Sequence, residues 1–325
     1  MSKVINSILL TLLLVSCQEG EIVLWDETDD DLLLVAHIKE PLLTMINVTN
    51  GNIHEEIPLP FTPSYMVHDE KRETVFITSE EEEALYSLDL NHKTLQKVVN
   101  IGEGFSSMIL DEKKEALFLA NSYRNQVVKV DISNNVVEEE ITTGDHPFSM
   151  DIDYDKNELY IVNVYSNNVQ VINMESMEMV KQFNVIERPN GIFLLEDGFL
   201  LGGHGPIGEL NRQTFYYDDN GNEITHLETG VMPVEFLSGT KNDELYVLSH
   251  GSHTIHQIDR QTFKVNHTID VDFNPYFGHV HHEHLFVSAL DGHSVSFIDL
   301  HELHVEKTIS VAPGPHALVF LEGSK

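Results

Sequence analysis

The sequence predicts an all-β protein, a seven-bladed β-propeller with four antiparallel strands per blade and a C-terminal strand closing the first blade. Three observations carry this. A short apolar strand core recurs seven times, at 32–36, 74–78, 116–120, 159–163, 199–203, 245–249 and 285–289. A proline keeps the same phase at Pro63, Pro147, Pro189, Pro233, Pro275 and Pro315, with Phe105 in the remaining place; the mean repeat of 42 residues is the length of one blade. The ends are also complementary. Residues 315–321 form only an inner strand, whereas the first unit, from Asp31 to Ile57, has three strands and lacks an inner one. A linear stack of sheets would leave both terminal faces bare, and a ring does not.

Within one unit the expected strands are 147–152, 158–163, 169–173 and 179–185, separated by Asp155-Lys156-Asn157 and Ser166-Asn167-Asn168. Asp and Asn favour turns because their side chains bond to nearby backbone N–H groups. Third strands alternate apolar residues, as in Val127 and Val130, Val169 and Val171, Val295 and Phe297, which predicts half-buried strands. Asn50-Gly51 and Asn220-Gly221 predict type I′ hairpins. No segment shows the periodicity of an amphipathic helix.

The N-terminus has its own logic. Met1-Ser2-Lys3 is basic, residues 8–15 are almost wholly apolar, and Leu14-Val15-Ser16-Cys17 ends the run. The run is too short to span a bilayer and fits a signal peptide. Cys17 is the only cysteine, so no intrachain disulfide exists. The Leu-x-Ser-Cys ending resembles the lipobox of bacterial lipoproteins. That resemblance implies removal of residues 1–16, a thioether-linked diacylglycerol on Cys17, and stable anchoring once two or more acyl chains are present. Residues 17–30, polar and acidic apart from Ile22 to Trp25, read as a lipidated tether, and residues 31–325 as the propeller. The expected location is the bacterial cell envelope, outside the cytoplasm.

Charge narrows the partners. With 19 Lys+Arg against 53 Asp+Glu the formal net charge is −34. Nucleic acid is excluded, because phosphate binding needs clustered cations. The membrane is reached only through the N-terminal lipid. Cations, cationic surfaces or neutral ligands are favoured, and a monomer is expected.

Residues 158–163 and 166–173 resemble the YVTN repeat of bacterial and archaeal propellers, which reads L-Y-V-T-N, a short loop, N-x-V-x-V-I-D, then a strand ending in G-x-x-P. Residues 244–249 with 254–259, and 285–288 with 294–299, are similar, and Thr143-Gly144-Asp145-His146-Pro147 resembles the G-x-x-P corner. The resemblance spans residues 31–321 and implies the propeller fold. Its family includes YncE-like and surface-layer proteins, with lactonase-type hydrolases and the propellers of nitrite and nitrous-oxide reductases as relatives. The stretch 199–243 departs most, with Gly202-Gly203-His204-Gly205-Pro206 and an insert carrying Asp218-Asp219-Asn220-Gly221. WD40 signatures and the haem-attachment motif Cys-x-x-Cys-His are absent; the only Trp is Trp25.

Propeller ligands sit on the face made by the loops entering inner strands and those between second and third strands. His37, His204, His250, His253 and His293 fall after second strands, His146 and His316 at entering corners, and His279 in an inner strand expected on this face. Fourteen of the 19 histidines lie at or after residue 204, so one sector is a candidate Zn²⁺, Cu²⁺ or Ni²⁺ site. The competing reading is solvated loop histidines, and no resident cofactor is required. The residues after the repeat prolines include Phe148, Tyr276 and His316, aromatic walls for a flat or ring-shaped ligand. Arg188 and Glu235 are the charged candidates beside them. Glu80-Glu81-Glu82-Glu83 reads as a solvated loop. An EF-hand from Asp218 would need Gly at its sixth position, where Glu223 stands.

No Gly-x-Ser-x-Gly elbow and no Gly-rich phosphate loop occur. The expected function is therefore a lipid-anchored, extracytoplasmic propeller that binds a small molecule, a metal or an envelope protein at its loop face without catalysis. The alternatives are a lactonase-type or metal-dependent hydrolase using Glu235, Arg188 and His316, or capture of a metal or tetrapyrrole.

Overall fold

The computed structural model describes residues 20–241 and 243–323. Cys17 and the signal segment lie outside the described residues. Seven antiparallel sheets follow one another along the chain. Blade four is representative, with Pro147–Asp153 innermost, then Glu158–Asn163, Asn168–Asn173 and Met179–Asn184. Blade one takes its inner strand, Pro315–Leu321, from the far end of the chain and pairs it with Leu32–His37. The predicted closure is the one observed. The one helical element among the described residues is a single 3₁₀ turn, Glu70–Arg72.

Why the second strands read as unbroken apolar runs follows from the packing. Leu32, Leu34 and Ala36 pack with Met66, Val75 and Ile77 of blade two, whereas Leu33 and Val35 pack with Phe286, Val295 and Phe297 of blade seven. A strand between two blades has no solvent face, so both sets of its period-two side chains are apolar. Third strands of blades one, two, four and seven share this fate, whereas Gln126–Asp131, Gln213–Asp218 and Thr254–Asp259 stay half-buried as expected. Asn168–Asn173 and Ser294–Asp299 are buried over nearly their whole length, not half-buried as the alternation predicts. Their intervening polar residues, Gln170 and Ser296, are buried between blades too. Half-exposed alternation belongs to the outermost strands, such as His304–Ser310.

The two Asn-Gly loops also differ from expectation. Type I′ needs positive φ at both central residues, yet only Gly51 (φ 75°) and Gly221 (φ 76°) have it. Asn47 and Asp218 instead open a five-residue and a four-residue turn: the Gly51 amide donates to the Asn47 carbonyl (2.8 Å) and the Gly221 amide to the Asp218 carbonyl (2.9 Å). A type I turn followed by a left-handed glycine is the pattern this makes. The same device recurs at other outer hairpins. Asp131, Asp259 and Asp299 each accept two backbone N–H groups, and the left-handed residue is Asn135, Phe263 or Leu303.

Adjacent blades are tied by a repeated clasp. In the loop after the second strand, Asn125 and Asn167 adopt left-handed φ and accept the backbone N–H of the residue before the next inner strand, His146 (2.9 Å) and Arg188 (2.8 Å). His253 and His293 occupy the same place. Their Nδ1 atoms accept from the Asn274 amide (3.1 Å) and the Gly314 amide (3.3 Å). His293 thereby holds the start of the closing strand.

One stretch of the expected tether is docked. Glu21–Ile22 adds a fifth strand to blade two beside Thr94–Asn100, Val23 is buried, and Trp25 packs against the same core. Since the clasp needs only a side-chain acceptor at a left-handed position, His293→Asn should keep the wild-type Tm. His293→Ala should destabilise by about 1 kcal/mol. Thermal melts of both variants check this, and equal losses in both would contradict it.

Candidate functional site

Inner strands surround an axial channel, and their first residues carry irregular pairing that sets which side chains face it. Register shifts fall between Pro147 and Met150, Pro233 and Glu235, and Pro275 and Phe277. Such bulges re-aim side chains. The channel has three connected parts. An upper mouth of about 340 Å³ is lined by Lys39, Glu80, Glu81, Phe148, Tyr276 and His316. A central chamber of about 280 Å³ shares Phe148, Tyr276 and His316 with the mouth and adds Tyr65, Asp151, Asn190 and Glu235. A lower vestibule of about 470 Å³ shares Tyr65, Phe277 and Glu235 with the chamber and adds His68, His279 and Phe320.

Four of the five proposed ligand residues, Phe148, Glu235, Tyr276 and His316, therefore line one chamber. Arg188 is not among its lining residues; it sits at a left-handed corner beside His204. The five candidate metal histidines do not converge. His37 is buried within its strand, with Nε2 2.8 Å from Thr44 Oγ1. His253 and His293 serve as clasps, and their Nδ1 atoms are occupied. His204 and His250 alone adjoin, their rings 5.1 Å apart. His279 lies in the lower vestibule, not on the upper face, because Pro275–His281 has crossed most of the channel by that point. The bland reading of the Glu run needs a refinement, since Glu80 lines the mouth and burial raises its carboxyl.

Chamber electrostatics come from burial. Desolvation, with Asp151 nearby, pushes the Glu235 carboxyl up to about 8. Glu235 makes no hydrogen bond among the described residues, yet its side chain stays partly accessible from the channel. Burial raises Asp151 to about 6, against the pull of two amides it accepts, Leu194 (2.9 Å) and Ile152 (2.8 Å). The same cause raises the Tyr276 phenol to about 12 and lowers the His316 imidazole to about 4. Tyr276 and His316 lie 5.1 Å apart between ring centres, and Tyr65 meets Phe277 edge-on at 5.5 Å. At neutral pH the chamber thus holds a neutral His316, a largely protonated Glu235 and a largely ionised Asp151.

Sequence reasoning missed Tyr65 and Asp151, whereas Asn190 follows Pro189 at the same place as Phe148 and Tyr276. Tyr65 opens a regularly paired strand two residues after Pro63, and Asp151 lies past the bulge between Pro147 and Met150, which leaves no period-two signal. Ser106, which follows Phe105 at the place of the missing repeat proline, ties two blades together; its hydroxyl donates to the Pro147 carbonyl of the next blade (3.0 Å).

Glu235 generates a pH prediction. Below about 4.5 both folded and unfolded chains hold its proton. Between 4.5 and about 8 only the folded chain does, so stability from this group falls as pH rises and is lost above 8. Glu235→Gln removes that loss. Its Tm should exceed the wild type's by a few degrees at pH 8 and match it near pH 4; a pH-independent difference would refute the assignment.

Residues 57–199 match the YNCE-like beta-propeller family. No curated protein matches the sequence significantly. Among solved structures, a functionally unknown protein from Desulfotomaculum acetoxidans aligns at TM-score 0.73 and 11% identity, covering 90% of this chain and 99% of that one. Hydrazine synthase of Kuenenia stuttgartiensis aligns at TM-score 0.65 and 15% identity, covering 78% and 88%. Apo AztD of Citrobacter koseri aligns at TM-score 0.60 and 11% identity, covering 94% and 99%. At such identities the likeness concerns fold alone. The chain is therefore a seven-bladed β-propeller, and its residues 57–199 match the YncE-like propeller family.

Proposed function

We propose that this chain is a lipid-anchored, extracytoplasmic binding protein whose axial chamber takes a small ring-bearing molecule, neutral or cationic, without transforming it. The observation that carries this reading is Glu235, a deep carboxyl with no hydrogen-bond partner among the described residues, facing a chamber walled by Phe148, Tyr276 and His316. Aromatic walls with a few convergent polar groups suit a small ligand, and about 280 Å³ is near the lower end of ligand-pocket size. A recessed chamber suits a small molecule better than a protein partner. Protonated, Glu235 donates a hydrogen bond; ionised, it pairs with a cation. The formal charge of −34 disfavours anions.

One observation favours a second reading, lactonase-type hydrolysis. Two acids with raised pKa values share the chamber, and such pairs serve proton transfer. Arg188, which that reading would use, is absent from the lining.

A thermal-shift screen of the full chain against aromatic amines, phenols and tetrapyrroles tests both. Hits should weaken at least about tenfold, or about 1.4 kcal/mol, in Phe148→Ala and in Glu235→Gln. Hits untouched by either variant would overturn the chamber assignment, and turnover of a lactone abolished by Glu235→Gln would favour the second reading. For the anchor, metabolic labelling with palmitate should mark the wild-type chain and vanish in Cys17→Ala; equal labelling of both would sink it.

A further inference from the structure

We infer that His281, His282 and Glu322 form a divalent transition-metal site, best suited to Zn²⁺, that staples the closing strand of the ring to blade seven. It lies at the opposite end of the channel from the mouth and is independent of the proposed ligand chamber. One ligand atom from each of the three residues lies within 4.8 Å of the other two. Tetrahedral zinc with bonds near 2.0–2.1 Å wants ligand atoms about 3.3 Å apart, which small side-chain rotations reach from here. Two imidazoles and a carboxylate are a common zinc set, one that keeps a fourth position open for water.

The donors come from both sides of the seam. His281 ends Pro275–His281, the inner strand of blade seven, and His282 follows in the turn with φ 50°. Glu322 follows Pro315–Leu321, the strand donated to blade one. The local backbone is already held. The Gly323 amide donates to Asp31 Oδ1 at 2.9 Å, and the His281 ring stacks on Phe320 with ring centres 3.6 Å apart. Among the described residues the His281 and His282 rings make no hydrogen bond, and the Glu322 carboxylate makes neither a hydrogen bond nor an ion pair. All three donors are thus unengaged. Asp31, Glu70 and Glu283 keep the surroundings negative. His204 and His250, at the other end, bring no third ligand into range among the described residues.

The test uses ZnCl₂ on the full chain, with calorimetric titration and thermal melts. One zinc should raise Tm by about 3–6 °C at a hundredfold excess over Kd. The paired variant His282→Ala with Glu322→Gln alters exposed side chains only, so its metal-free Tm should match the wild type's. It should lose the zinc increment and bind at least about tenfold more weakly. His204→Asn with His250→Asn should keep the increment. The proposal fails if zinc does not bind, if the increment survives in the first variant, or if zinc binds without moving Tm. Chamber binding in the first variant is expected to be unchanged, so this result and that of the ligand screen are separable.

Discussion

Pairing between Pro315–Leu321 and Leu32–His37 is the contact on which the rest of the architecture depends. Each blade's second and third strands are buried only because a neighbouring blade covers each face. Without the seam, Leu33, Val35 and Phe286 would face water, as would the far face of blade seven. The seam joins residues nearly three hundred positions apart, so its loop-closure entropy comes late and large. Several separate devices concentrate there: the His293 clasp, the Ser288 hydroxyl donating to the His316 carbonyl at 2.7 Å, and the Asp31 contact with Gly323. A strand held by many local contacts can complete a ring that no single contact would close.

The same closure creates the functional geometry. Seven inner strands at fixed spacing leave a narrow axis, and bulges at their starts turn Glu235, Tyr276 and Phe277 inward while the regular ladder beyond faces the neighbouring blades. The site is therefore built on rigid strands, not on mobile loops. Rigid placement keeps a carboxyl in an environment that favours its neutral form, because the surroundings cannot relax toward it.

Much of the fold was legible in the sequence because burial on both faces forces continuous apolar runs, and seven such runs at one period fit hardly any architecture but a ring of blades. The proline phase and the incomplete first unit added closure. The chamber was half legible. Phe148, Asn190, Tyr276 and His316 stand next to repeat prolines, whose position is visible, whereas Tyr65 stands one residue further on and Asp151 lies past irregular pairing that a linear pattern does not encode. The histidines misled for a physical reason. At the clasp position a neutral imidazole nitrogen accepts the same N–H that Asn125 and Asn167 accept with an amide oxygen, so His253 and His293 imitate ligands while doing a turn residue's work. Glu322, in contrast, gave no signal, since its proximity to His281 exists only once the ring is closed.

Charge then explains how the channel can work. The chain is strongly acidic, so its surface field draws cations toward both openings. Inside, burial opposes charge, and Glu235 holds its proton near neutrality while Asp151 largely gives its own up. A cation reaching the chamber changes that balance, because an adjacent positive charge favours the ionised carboxylate. In the proposed role, binding a cation would therefore release a proton from Glu235, and affinity would climb as pH approaches 8. A neutral hydrogen-bonding ligand would instead need the protonated acid and weaken over the same interval. One buried carboxyl thus gives the two ligand classes opposite pH dependence.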